Sequence, residues 1–200
     1  LDGNVLEKPA QDQDDERRLS LSRVWVVEPI DGTKEVIEGV PQFAISIGFV
    51  VDGRPTVAIV FNPAKERFYQ AAAGQGAFLN GAAIRVTGRD EITGAQLLVS
   101  RSEPQKRFQV FVDRCALRPV GSIAYRLAKI AGGDGDGTLT FRNIHEWDIC
   151  AGVLLVEEAG GIELVLVDGE RGHRTDTERA VAQADPAAER PPLRAVPARE

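Results

Sequence analysis

The sequence contains no methionine and only two cysteines among its 200 residues. Cys115 and Cys150 are too few and too far apart for a disulfide framework or a zinc site, so two reduced, buried thiols are expected. Long apolar runs are also missing. The run at 43–51 is broken by Ser46 and Gly48 and is far shorter than the roughly 20 residues of a membrane-spanning helix. Because the N-terminus also lacks signal-peptide features, we expect a cytoplasmic protein.

Basic residues are not in excess either. The chain has 30 acidic and 24 basic side chains and a formal net charge of −6, which gives no electrostatic footprint for nucleic-acid binding. Its composition, 43% hydrophobic and 27% charged, is that of a globular protein. We therefore expect no nucleic acid polymer and no membrane as partners, and a monomer or a homodimer.

The order of apolar and turn residues predicts a layered α/β (α+β) fold in two parts. The first part, residues 1–95, is expected to form an antiparallel β meander. Its predicted elements are a polar loop at 1–22, a buried strand at 23–27, a short helix at 34–38, strands at 42–51, 56–62 and 67–73, and a hairpin around Phe78.

The second part, residues 96–168, alternates strand and helix and is expected to be a smaller mixed α/β unit. Its predicted elements are a strand at 96–100, a helix at 105–115, a helix capped by Ser122 that runs to Ile130, a strand at 137–141, a helix at 146–159 and a strand at 162–167. Residues 169–200 are rich in proline, alanine and charge, and disorder is predicted for them.

Two carboxylates flank a proline where the first buried strand ends, in the segment Glu28-Pro-Ile-Asp-Gly-Thr33. A tight turn at Gly32 can aim the Glu28 side chain, the Ile30 carbonyl and the Asp31 side chain into one cavity. Ligands that are all oxygen suit Mg²⁺. The alternative is an ordinary acidic turn.

A second acidic segment, Glu146-Trp-Asp-Ile-Cys-Ala-Gly152, begins the last predicted long helix. Asp148 lies in its first turn, where the helix dipole favours negative charge or a bound anion. Ala151 and Gly152 lie on the same face and allow another backbone to approach closely. Simple N-terminal capping by an acidic residue is the alternative.

Taken together, these segments resemble the two signature motifs of the inositol monophosphatase superfamily, D-P-(I/L)-D-G-T and W-D-x-A-A-G. The stretches Asp31-Gly-Thr-Lys-Glu35, Gly121-Ser-Ile-Ala-Tyr-Arg-Leu127 and Glu146-Trp-Asp148 look like the bacterial 3'(2'),5'-bisphosphate nucleotidase branch. The resemblance covers about residues 1–167, and both motifs occur in the family's order. It implies a sugar-phosphatase-type fold.

The resemblance also implies a metal-dependent phosphomonoesterase with two or three Mg²⁺ ions and a small phosphorylated substrate. The implied metal ligands are Glu7, Glu28, the Ile30 carbonyl, Asp31 and Asp148. Thr33 and Asp31 would be catalytic, and the substrate contacts would be Gly32, Thr33, Ser122 and Asp148. The expected reaction is hydrolysis of the 3'-phosphate of adenosine 3',5'-bisphosphate; inositol-1-phosphate or a sugar phosphate is the alternative substrate.

Some features depart from the family pattern. Glu28 stands where the family has aspartate, and Lys8 follows Glu7 where a second acidic residue is usual. The start at Leu1 and the lack of methionine predict that an N-terminal arm is absent. A catalytically weak or decayed fragment, which retains a metal-binding or interaction surface, is therefore a further alternative.

Several other charged residues are candidates for a role beside these motifs. Arg101, Arg126 and Lys129 are possible contacts for a second phosphate, against an alternative of solvated surface charge. His145 precedes the second motif and is read as a helix cap or as a phosphate contact. The segment 134–137 is read as a turn rather than a calcium loop.

Overall fold

The computed structural model describes residues 4–7, by their backbone, and residues 21–161. The strands are β1 (Asn4–Glu7), β2 (Arg23–Asp31), β3 (Ala44–Val51), β4 (Arg54–Asn62), β5 (Arg67–Ala72), β6 (Ala77–Leu79), β7 (Ala82–Ile84), β8 (Gln96–Ser100), β9 (Ala116–Val120) and β10 (Gly137–Leu139). The α-helices are α1 (Thr33–Ile37), α2 (Ile123–Ala131) and α3 (Glu146–Glu158), and two 3₁₀ helices span Pro63–Lys65 and Gln105–Phe111. No helix within residues 21–161 is long and apolar enough to cross a membrane.

The larger sheet has seven strands in the order β1 to β7. Strands β2 to β7 form an antiparallel meander, as the alternating pattern and the Asp52-Gly53 and Asn62-Pro63 turns predict. The predicted loop at 1–22 is wrong for residues 4–7, because β1 pairs in parallel with β2. A short edge strand whose partner lies some twenty residues away leaves no local turn signal in the sequence.

The smaller sheet contains β10, β8 and β9 in that order, and both of its strand pairs are parallel. The mixed α/β character of this part is as expected. The predicted continuous helix at 105–115 is wrong: a 3₁₀ helix ends at Phe111, and Ala116 starts a strand that the pattern did not predict. Pro119 obscures that strand in the sequence, and its position on an edge strand explains why it is tolerated there.

Helices α2 and α3 form where they were predicted, and their ends have clear causes. The Ser122 hydroxyl accepts the Tyr125 N–H at 3.0 Å and so caps α2. Gly152 of α3 lies so close to α2 that an added Cβ would come within 2.6 Å of Leu127. Gly152 therefore allows a close approach, but the neighbour is the Leu127 side chain and not another backbone as expected.

The main core contains residues from both sides of residue 95. Ala44, Val60 and Tyr69 come from the larger sheet, Leu98 comes from the smaller sheet, and α2 and α3 contribute further members such as Leu155. The proposed division of the chain at residue 95 stays a prediction. The predicted strand at 162–167 and the predicted disorder of 169–200 lie outside the described residues.

Candidate metal and phosphate site

The end of β2 carries the first acidic motif on a strand whose side chains alternate between its two faces. Val24, Val26 and Glu28 are all buried, so they share one face. This face packs against Cys150 and Trp147 of α3. Glu28, with 2% of its surface exposed, therefore lies on the face that α3 covers.

Gly32 makes the sharp turn that leads from β2 into α1. Its φ of +93° lies in the left-handed region, and a Cβ there would be 3.2 Å from the Gln42 carbonyl and from Phe43. Only glycine suits both constraints. The turn leaves Thr33 exposed at the first position of α1, and it leaves Ile30 42% exposed.

Asp31 ends β2 and meets the first turn of α2. Its Oδ2 accepts the Ser122 hydroxyl at 2.6 Å and the Ala124 N–H at 2.8 Å. Burial raises the pKa of Asp31 and the Asp148 carboxylate raises it further, although the two hydrogen bonds and the Arg126 charge act in the opposite direction. The carboxylates of the two sequence motifs therefore lie close enough to repel each other.

Asp148 is the third residue of α3, as predicted. Its Oδ2 accepts the His145 backbone N–H at 3.0 Å, which closes the first turn of the helix. The positive end of the helix dipole also stabilises its negative charge. His145 precedes the helix and stacks on Trp147, with 4.5 Å between ring centroids and an angle of 9° between the planes.

The predicted site residues thus differ in how far they come together. Asp31 and Asp148 interact, Glu28 lies on the face of β2 below α3, and Thr33 follows Asp31 by two positions. Glu7 lies in β1, and its backbone pairs with Val27 of β2. The side chain of Glu7 is outside the described structure. Ser122 is buried, and its hydroxyl donates to Asp31 and accepts from Tyr125.

Two further residues support the site by contacting Gly121, which precedes Ser122. Neither of them was singled out for a role from the sequence. Glu35 is 3% exposed and packs on Gly121, where a Cβ would come within 2.3 Å of Glu35 Cγ. Gln42 Oε1 accepts the Gly121 N–H at 2.9 Å. Both residues fix the loop that carries Ser122. Glu35 is a buried acid inside an otherwise exposed short helix, and nothing in the sequence signalled this burial.

The three candidate contacts for a second phosphate all interact with other groups of the protein. Arg126 is 3% exposed and donates to Thr138 and to the Leu139 carbonyl, so the alternative of a solvated surface charge is wrong for it. Lys129 pairs with Asp134. Arg101 is partly exposed and lies 3.5 Å from Glu38.

The acidic turn at 134–137 has a structural role. Asp134 pairs with Lys129 and Arg118, while Asp136 accepts the Gln96 N–H at 2.7 Å and the Thr87 hydroxyl at 2.6 Å. These partners are cations, a hydroxyl and a backbone amide of the protein itself. The expectation of a turn rather than a calcium loop agrees with these contacts.

Comparison with known proteins shows to which family the chain belongs. The model of the inositol monophosphatase family matches residues 4–195. The chain belongs to this family. Both acidic motifs lie within the matched range, so the family resemblance of the sequence is confirmed. The comparisons do not single out the bisphosphate nucleotidase branch, which stays a prediction.

Relatives within the inositol monophosphatase family carry two kinds of name. The Nus factor SuhB of Pseudomonas aeruginosa is 37% identical over 150 residues, which are 70% of this chain and 55% of that protein. The inositol-1-monophosphatase of Rhizobium meliloti is 37% identical over 146 residues, which are 68% of this chain and 54% of that protein. The chain spans about half the length of these curated relatives.

Solved structures of the inositol monophosphatase family share the fold. The IMPase TM1415 of Thermotoga maritima matches with a TM-score of 0.68 and 30% identity over 80% of this chain and 61% of that chain. Inositol monophosphatase-II of Staphylococcus aureus matches with a TM-score of 0.70 and 25% identity over 80% of this chain and 63% of that chain. The layered fold predicted from the sequence is confirmed.

The donor set of this family member fits Mg²⁺ by its chemistry. Glu28, Asp31, Asp148 and the Ile30 carbonyl offer only oxygen atoms, and the Asp31–Asp148 pair concentrates negative charge. Within residues 21–161, no group of three or more His, Cys, Asp or Glu side chains is gathered closely enough to hold a metal ion. Mg²⁺ commonly uses one or two protein carboxylates and completes its shell with water and substrate phosphate, a mode that the pair suits.

Proposed function

We propose that this chain contributes the metal-dependent phosphomonoesterase site of an inositol monophosphatase family enzyme. The observation that carries the proposal is the interaction of Asp31 with Asp148, which come from the two signature motifs and from different elements. Two carboxylates that repel each other at the meeting of a strand end and a helix start favour a bound cation. The exposed Thr33 beside them leaves room for a substrate.

Each residue has a defined part in this proposal. Glu28, Asp31, Asp148 and the Ile30 carbonyl hold Mg²⁺, and Glu7 is the fifth predicted ligand; two or three ions are expected. When bound, Mg²⁺ would supply activation of the attacking water and neutralisation of the phosphate charge. The Thr33 hydroxyl orients that water, and the Gly32 N–H and Thr33 lie beside the phosphate. Ser122 holds Asp31 and borders the substrate.

The first substrate we propose is adenosine 3',5'-bisphosphate, which would lose its 3'-phosphate. Inositol-1-phosphate or a sugar phosphate is the alternative, because fold and metal ligands alone do not set the substrate. Two related structures are described as SaIMPase-II with bound inositol monophosphate and with bound 2'AMP, each at 26% identity. One relative thus binds both an inositol phosphate and a nucleotide, so a substrate panel must include both classes.

The test is phosphate release by the purified chain from adenosine 3',5'-bisphosphate, inositol-1-phosphate, 2'-AMP and fructose-1,6-bisphosphate. We expect turnover that requires Mg²⁺ and that Asp148→Asn abolishes, while Asp113→Asn, at an exposed site outside the motifs, leaves it unchanged. Release that continues in excess chelator would refute the metal mechanism.

The relatives named Nus factor SuhB favour a second candidate function, a non-catalytic role in which the family fold supplies an interaction surface. This candidate also accommodates the Glu28 departure. A folded chain that binds Mg²⁺ but releases no phosphate from any substrate of the panel would favour it over hydrolysis.

A further inference from the structure

Arg126 is a charged residue in an almost fully buried position. It lies in α2 with 3% of its surface exposed. Its guanidinium donates to the Thr138 hydroxyl at 2.9 Å and to the Leu139 carbonyl at 3.0 Å, both in β10. Burial lowers its pKa to about 10, against the opposing charges of three carboxylates, so the side chain stays protonated at neutral pH.

The three carboxylates that act on Arg126 come from three different parts of the chain: Asp31, Glu103 and Glu35. Glu103 is 4% exposed and accepts the Thr140 hydroxyl at 2.5 Å and the Phe141 N–H at 2.9 Å. Glu35 lies against Gly121, as described above. A buried cation among buried anions stabilises one arrangement of these elements, because displacing it leaves uncompensated charges.

Arg126 also contacts Ser122, whose hydroxyl donates a hydrogen bond to Asp31. Its backbone N–H donates to the Ser122 carbonyl at 3.1 Å, and its Nε lies 3.4 Å from the same oxygen. Ser122 has a φ of +55°, which is strained for a residue with a side chain. Such a conformation persists only where its surroundings fix it. The Ser122 hydroxyl then donates to Asp31, whose Oδ2 also accepts the Ala124 N–H.

We propose that Arg126 is a positioning residue for Asp31. It ties the first turn of α2 to β10, and it thereby holds the Ser122 hydroxyl and the Ala124 N–H on the Asp31 carboxylate. Its role is indirect, since its guanidinium donates to Thr138 and Leu139 of β10 and it acts on Asp31 through Ser122. The consequence for metal binding rests on the proposed function, but the consequence for the Asp31 hydrogen bonds does not.

The first test measures backbone amide hydrogen exchange by NMR in the metal-free protein. In Arg126→Met, the Ala124 and Tyr125 amides, which donate to Asp31 and to the Ser122 hydroxyl, should exchange about tenfold faster, the effect of losing one ordinary hydrogen bond. The Leu155 and Ala159 amides at the far end of α3 should keep their rates.

The matched control is Lys129→Met, which removes the next cation of α2 but whose partner Asp134 is remote from Asp31 in the network. It should leave the Ala124 rate unchanged; Tyr125 is not compared in this control, because the Lys129 ammonium lies 5.4 Å from the centre of the Tyr125 ring. If Arg126→Met fails to fold, Arg126→Lys retains the charge without the planar fork and should give the same selective acceleration. Equal rates in the Arg126 and Lys129 variants, or uniform acceleration throughout α2 and α3, would overturn the proposal.

The second test measures Mg²⁺ binding by titration calorimetry on the same variants. Arg126→Met should weaken Mg²⁺ binding about tenfold, as other second-layer residues around metals do, whereas Lys129→Met should not change it. Absence of Mg²⁺ binding by the wild-type chain would refute the proposed function, and the exchange rates would still decide the role of Arg126.

Discussion

Glu28 shows how one methylene group bears on the candidate site. The family motif has aspartate where this chain has glutamate, and the position is almost completely buried below α3. A buried side chain has little freedom to compensate for extra length. Mg²⁺ requires near-ideal octahedral geometry at short distances, so a displaced carboxylate weakens its binding.

We therefore predict that Glu28→Asp tightens Mg²⁺ binding on the order of tenfold, the lower limit for changes that re-aim groups around a metal. Calorimetric titration with Mg²⁺ would measure the effect. Glu28→Gln, which keeps the length and removes the charge, should instead weaken binding. Equal affinities for Glu28→Asp and wild type would mean that the longer side chain is already accommodated.

Gly121 supports the site because it has no side chain. A Cβ at this position would come within 2.3 Å of Glu35 Cγ and 2.6 Å of its Oε1. We predict that Gly121→Ala destabilises the fold by about 1–3 kcal/mol, the usual cost of overpacking, as measured by urea unfolding.

The control for this prediction is Gly132→Ala, because the nearest atoms to a Cβ at Gly132 are 3.5 Å away. Its effect should be much smaller. Adding Glu35→Ala to Gly121→Ala should recover part of the loss, since the clashing atoms are then removed. A double variant whose loss equals the sum of the single losses would show that Glu35 is not the obstacle.

At the scale of elements, β10 is short and depends on side chains for its attachment. It has three residues, and Asp136 just before it accepts the Gln96 N–H at the start of β8. The same carboxylate accepts the Thr87 hydroxyl from the segment between β7 and β8 and lies 3.5 Å from Arg89 there. Burial alone would raise the pKa of Asp136, but these hydrogen bonds and the arginine charge lower it. The ionised carboxylate therefore stabilises the folded state.

The sign of the pH dependence follows from that lowered pKa. The stabilisation is complete above the unfolded-state pKa of about 3.8 and is lost as the pH falls through the lower folded-state pKa. We predict that Asp136→Asn costs about 1.5 kcal/mol at neutral pH, the lower range for hydrogen bonds to a charged group. Urea unfolding between neutral and acidic pH should show this difference shrinking, whereas the exposed Asp113→Asn should show none throughout.

Elements whose own residues carry a clear signal were predictable from the sequence, whereas contacts between elements were not. The meander, the Ser122 cap and α3 follow from apolar spacing and turn residues within each segment. Strands β8 and β10 were predicted although they pair in parallel with each other across some forty residues. Strands β1 and β9 were missed because their own sequences carry a weak strand signal: β1 has only four residues, and β9 contains Pro119. Likewise, the two motifs single out Asp31 and Asp148, whose role as site residues stays a prediction, whereas the contact of Glu35 with Gly121 and the burial of Arg126 depend on tertiary packing.

At the scale of the whole molecule, the described core is shared between the two sheets. Residues of β4, β5, β8, α2 and α3 belong to one apolar cluster, and Val24 and Val26 of β2 pack with Cys150 of α3 in a second one, so α3 links the strand that carries Asp31 to the main core. The site is therefore formed by folding itself, and its charge repulsion is a cost to the fold in the absence of metal. Active sites commonly reduce stability in this way.

We predict that Asp31→Asn stabilises the metal-free protein by about 1 kcal/mol at neutral pH, a typical gain when a strained functional site is relieved. The reason is that burial and Asp148 raise the pKa of Asp31, so its ionised form disfavours the fold. Thermal unfolding in chelator would measure the gain.

Mg²⁺ should reverse the order of stability, so that the wild type becomes more stable than Asp31→Asn. It stabilises the wild type by mass action because it binds the folded chain, and it should leave Asp31→Asn unchanged. A wild-type melting temperature that does not respond to Mg²⁺ would contradict the metal site. A variant less stable than wild type in chelator would show that the Ser122 and Ala124 hydrogen bonds outweigh the repulsion.

The stacked pair of His145 and Trp147 has a spectroscopic consequence. The indole lies directly before Asp148 and is in parallel contact with an imidazole, whereas the other tryptophan, Trp25, packs on Phe49 with 4.6 Å between centroids. Indole emission responds to such close neighbours, so Trp147 is a natural optical probe at the start of α3. In a Trp25→Phe background, the chain reports by its own fluorescence any event that moves this helix end.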